Sequence, residues 1–115
     1  MRLILIPAAL ILLGARDVPV PEATPNGEPV TCLSLTAIRQ TMVRSDQIID
    51  FRVGRRTYRN TLPMRCPGLG FERRYLHETR TGDICSHDTI TVLTGDAMPG
   101  ASCGLGKFQP VTLAE

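Results

Sequence analysis

The chain of 115 residues has room for one domain, and with 43% hydrophobic residues, no Trp, three Phe and two Tyr it builds only a small core. A net charge of +2 excludes a strongly polybasic or polyacidic protein, but its make-up is lopsided: twelve of the thirteen basic residues are Arg. In a domain this thin, cross-links are expected to supplement packing.

The opening residues, Met1-Arg2 followed by an apolar run from Leu3 to Leu13 and the small pair Gly14-Ala15, read as a secretory signal over 1–15. The run holds eleven residues and Pro7, short of the ~20 that span a bilayer, so no transmembrane span is expected after cleavage. Residues 16–30 carry Pro19, Pro21, Pro25 and Pro29 with Asn26-Gly27, a composition that predicts an extended linker. A single small β domain is expected over 31–111, with 112–115 as a C-terminal tail.

Within that domain, residues 33–43 suit a strand with a bulge better than a short helix. The clearest signal follows between Gln47 and Leu62. Ile49, Phe51 and Val53 alternate with polar residues, Gly54-Arg55 interrupts, and Tyr58 and Leu62 resume the alternation. A two-residue loop with Gly first predicts a type II′ hairpin. In that register Phe51 faces Tyr58 on the buried side and Asp50 faces Arg59 on the other. Residues 71–79 mix a helical Phe71/Tyr75 spacing with alternation at Tyr75, His77 and Thr79. Thr89–Thr94 reads as a strand with Ile90 and Val92 on one face, and 102–113 as the segment that closes the sheet. Turns are expected at Pro67-Gly68, Thr81-Gly82-Asp83 and Pro99-Gly100. The expected fold is mainly β: a five-stranded antiparallel, partly closed barrel or sheet with a short helical turn, stapled by disulfides.

In an exported chain the even set Cys32, Cys66, Cys85 and Cys103 reads as two disulfides, and its separations lack the close pairs of a structural zinc site. Four Cys allow three connectivities; the expected one joins Cys66 to Cys85 across a medium loop and Cys32 to Cys103 across the ends of the domain.

Ten Arg fall between Arg39 and Arg80, against only Asp46, Asp50, Glu72 and Glu78, a local net charge of +6. Arg carries a planar fork that fits phosphate and carboxylate groups. Arg52, Arg55, Arg56 and Arg59 are the candidate binding residues, for an anionic envelope component or a protein partner. The plain counter-reading is a solvated strand face on which Asp50 already occupies Arg59. Nucleic acid is not expected, because the stacking aromatics such binding needs are assigned inward. His77, His87 and the stretch Cys85-Ser86-His87-Asp88 hold groups capable of metal or acid–base chemistry, but neighbours on a strand point to opposite faces. No catalytic, metal or cofactor motif emerges, so the expectation is a non-enzymatic binding module, with a structural or envelope-maintenance role lacking a discrete ligand as the alternative.

Thr57–Leu62, Arg65-Cys66-Pro67-Gly68-Leu69-Gly70-Phe71, Cys85–Leu93 and the stretch from Pro99 to Phe108 resemble, as a set, a family of small uncharacterised exported proteins of alphaproteobacteria. The resemblance covers residues 31–111 and implies a periplasmic location; it carries no activity, substrate or site residue.

Overall fold

A computed structural model describes residues 19–114, so the expected signal at 1–15 lies outside the described residues. The described part of the chain forms ten strands: β1 (Ala23–Pro25), β2 (Cys32–Ser34), β3 (Ile38–Val43), β4 (Ile48–Val53), β5 (Arg56–Thr61), β6 (Tyr75–His77), β7 (Asp83–Cys85), β8 (Thr89–Leu93), β9 (Pro99–Gly104) and β10 (Phe108–Leu113). A 3-10 turn (Leu35–Ala37) and one short helix, α1 (Leu69–Glu72), complete it. Among the described residues the fold is mainly β, with antiparallel pairing throughout and no closed barrel. Five strands make the largest sheet, in the order β1-β10-β5-β4-β3; β6-β8-β9 and β2-β7 form two smaller ones.

The β4–β5 hairpin is the expected one. Val53 pairs with Arg56, Phe51 with Tyr58 and Asp50 with Arg59. Gly54 takes φ 62° while Arg55 is not among the positive-φ residues, the combination a type II′ turn requires. Ile49 and Phe51 enter the core, and Phe51 meets Phe108 edge to face with ring centroids 5.4 Å apart. Segment 33–43 divides: β2 and β3 flank the 3-10 turn, and the register shift falls between Ile38 and Gln40, at Arg39. Segment 71–79 divides likewise, because α1 stops at Arg73 in the left-handed region (φ 59°) and β6 begins two residues later. On β8, Ile90 and Val92 are buried together as the alternation requires.

Three expectations are corrected. The disulfides are Cys32–Cys85 and Cys66–Cys103, not Cys66–Cys85 and Cys32–Cys103. Cys32 and Cys85 face each other directly in the β2–β7 register with Cα atoms 4.0 Å apart, so strand pairing rather than loop length selects the partner. Cys66, fully buried after β5, then meets Cys103 on β9 and fastens the large sheet to the three-stranded one. The turn expected at Pro99-Gly100 lies earlier, at 94–98: Ala97 N–H donates to the Thr94 carbonyl, Ala97 adopts φ 62°, and Pro99 starts edge strand β9.

The third correction concerns the linker and the tail. Residues 22–30 do run extended, but they lie along β10 instead of hanging free. Ala23, Thr24 and Pro25 pair with Leu113, Thr112 and Val111, and Val30 bridges to Phe108. Pro110 sits between two partner strands although it has no N–H; its carbonyl accepts from Asn26 N–H, and the Gln109 side chain donates to the Gly27 carbonyl beside it. The domain therefore includes part of the expected linker, and Thr112 and Leu113 of the expected tail belong to β10.

Buried Asn60 links β5 to the loop before β10. Its side-chain amide donates to the Gly106 carbonyl and its side-chain oxygen accepts from Gly106 N–H. This approach needs glycine: a Cβ on Gly106 would lie 2.5 Å from the Thr61 carbonyl oxygen.

Candidate functional site

The register of the large sheet sorts its Arg residues into two groups. Opposite the core, one cross-strand row runs Met42, Asp50, Arg59, Gln109. Asp50 has no solvent exposure, and a carboxylate removed from water needs strong partners. Two guanidinium groups supply them. Arg59 grips it with both ends of its fork, Nε donating to Oδ1 at 2.8 Å and Nη2 to Oδ2 at 3.0 Å, while Arg44 Nε donates to Oδ2 at 2.8 Å. The side chains of Arg44 and Arg59 are 23% and 12% exposed, so they roof the carboxylate. Arg59 is thus engaged inside the protein, as the counter-reading anticipated. Arg65 pairs with Asp46 at 2.6 Å, and Asp46 also accepts from Gly70 N–H, tying the loop after β5 to the β3–β4 connection.

The next row toward the hairpin tip runs Gln40, Arg52, Thr57, Val111. Arg52 is exposed there, Arg55 is the second turn residue and Arg56 opens β5. Among the described residues none of the three has an acidic group within ion-pair distance. Arg56 instead lies over the Tyr58 ring, 5.9 Å from its centroid, which restrains the guanidinium without neutralising it. Arg39 is also exposed, at the bulge of β3 between the residues paired with Val53 and Arg52. Arg39 is one of the ten Arg of the 39–80 stretch, but nothing in the sequence places it beside the turn, because the β3–β4 register depends on a bulge. Arg39, Arg52, Arg55 and Arg56 gather at one end of the sheet, an exposed set of planar cations suited to an anion.

The histidine region resolves differently from its sequence spacing. His87 is exposed at φ 74° and its main-chain N–H donates to the Leu105 carbonyl. Asp88 instead meets His77, eleven residues away, with His77 Nε2 2.9 Å from Asp88 Oδ2. Asp88 also accepts from Cys85 N–H. The His77 hydrogen bond, seconded by that main-chain donor, holds the Asp88 carboxyl below its usual value near 3.8. Cys32, Asp83 and Cys85 form the one cluster of metal-capable groups among the described residues, but both sulfurs are spent in a disulfide and a single carboxylate is left.

No protein-family model matches the chain, and no curated protein or solved structure is significantly similar to it. Among the described residues, no helix is long and apolar enough to cross a membrane. Two disulfides fit an oxidising, extracytoplasmic compartment.

Proposed function

We propose that this protein is a non-enzymatic periplasmic binding module that recognises an anionic envelope component, or an acidic protein partner, through the Arg tip of the β4–β5 hairpin. One observation carries the reading: Arg44, Arg59 and Arg65 are matched to Asp50 and Asp46, whereas Arg52, Arg55 and Arg56 are exposed with no acid in reach among the described residues. A solvated strand face needs polar residues, but it does not need three cations within five positions at a turn. Arg39 enlarges the set from the neighbouring strand. The periplasmic part of the proposal draws on the apolar opening segment, the resemblance of 31–111 and the two disulfides.

The test is a crosslinking capture from periplasm with the parent protein and a variant carrying Arg52→Gln, Arg55→Gln and Arg56→Gln together. Parent binding should weaken as salt rises, since exposed charges are screened. The triple variant should retain its fold and lose the captured molecules. An identical set captured by both proteins would remove the Arg-tip reading in favour of a structural envelope role.

A further inference from the structure

A cleft of about 280 Å³ opens where the three sheets meet, on the face of the large sheet opposite the Arg52 row. Phe51 from β4, Ile38 from β3 and Ile84 from β7 supply its apolar wall. The polar members come from two strands that do not pair with each other: Thr41 on β3, and Tyr75 and His77 on β6. Burial raises the Tyr75 phenol above its usual value, with Thr41 beside it pulling the other way, so it keeps its proton at neutral pH. The cleft thus sets an apolar wall against convergent polar groups, a combination that suits a small polar-substituted ligand.

His77 narrows the chemistry. Its side chain is 5% exposed, and Nδ1 is buried with no hydrogen-bond partner among the described residues. The other ring nitrogen faces Asp88, which is held ionised and can only accept, so Nε2 carries the ring proton. In the uncharged ring that arrangement leaves an acceptor lone pair at Nδ1, and a buried acceptor without a donor is costly. A cavity near 150 Å³ is enough to hold benzene, so this cleft has room for one substituted ring.

We propose that the cleft between β3, β4, β6 and β7 binds a small planar molecule bearing a hydroxyl group, its ring against Phe51, Ile38 and Ile84 and its hydroxyl donating to His77 Nδ1. The inference is independent of the Arg tip, which lies at another part of the sheet.

Phenol and toluene are the probes, matched in shape and differing in the hydroxyl. Each is titrated into the oxidised full chain while NMR follows Thr41, Phe51, Tyr75 and His77. An apolar wall by itself favours toluene. The proposal expects the reverse: saturable shifts at these residues with phenol, and phenol tighter than toluene by about tenfold or more. His77→Phe should abolish the preference while leaving toluene binding in place. Ile38→Trp, which fills the cleft from its β3 side, should remove binding of both probes and serves as the deciding variant if His77→Phe does not fold. Equal affinities in the parent, shifts elsewhere on the surface, or phenol binding that survives Ile38→Trp would each overturn the proposal.

Discussion

At the residue scale, Asp50 shows how one buried charge organises a surface. Two Arg residues fold over it, and their fixed positions remove them from the pool available to a ligand. Substituting Asp50 with Ala leaves two partly buried cations without a counter-charge, and unfolding in denaturant should show a loss of about 3–5 kcal/mol. Charge changes at the exposed Arg52 should stay within about 0.5 kcal/mol in the same measurement. Phe51 tests the opposite face: it is 1% exposed and packs on Phe108, so Phe51→Ala should cost about 3–5 kcal/mol. A cost below about 1 kcal/mol would contradict its burial.

At the element scale, the β4–β5 hairpin and the disulfides stand at opposite ends of legibility. The hairpin is local: alternation sets the faces, Gly54 permits the turn, and the two-residue loop fixes the register with no information from elsewhere. The disulfides depend on β2 meeting β7 and on β9 passing the loop after β5, contacts spanning 53 and 37 residues of sequence. Non-reducing peptide mapping should recover Cys32 linked to Cys85 and Cys66 linked to Cys103, and no other pair. In the chain-entropy account each closure removes about 4 kcal/mol of denatured-state freedom. Replacing either pair by Ser should lower stability on that order, and the Cys66–Cys103 pair should also loosen the three-stranded sheet, visible as faster amide exchange in β8 and β9.

At the scale of the whole molecule, three small sheets hold together through a few shared attachments, and the His77–Asp88 pair is one that responds to pH. Asp88 lies in the turn between β7 and β8, and its partner is on β6. The folded state depresses the Asp88 carboxyl below its usual value near 3.8. Its contribution to stability is therefore present above that value and is lost as pH falls through the lower folded-state value. Melting temperature followed from pH 6 to pH 2 should fall more steeply for the parent than for Asp88→Asn below about pH 4. Parallel curves would show that Asp88 is not coupled to folding. Residues 22–30 form another attachment: a chain starting at Val30 uncovers the outer edge of β10, and it should melt lower and aggregate more readily.

The amino-acid sequence by itself determined the β class, the hairpin with its turn and pairings, the burial of Ile90 and Val92, and a cysteine set suited to cross-linking. Each follows from alternation, turn chemistry or composition, which act over a few neighbouring residues. Only the tertiary structure decided which cysteines join, that 22–30 is a strand partner and not a tether, and which Arg residues are left over. Four chemically identical thiols carry no label of their partners, and a proline-rich stretch is extended whether or not a strand lies beside it. Asp50 is the clearest case. Its pairing with Arg59 was legible from the hairpin register, but its complete burial required Arg44 to fold over it, and that contact belongs to the assembled sheet.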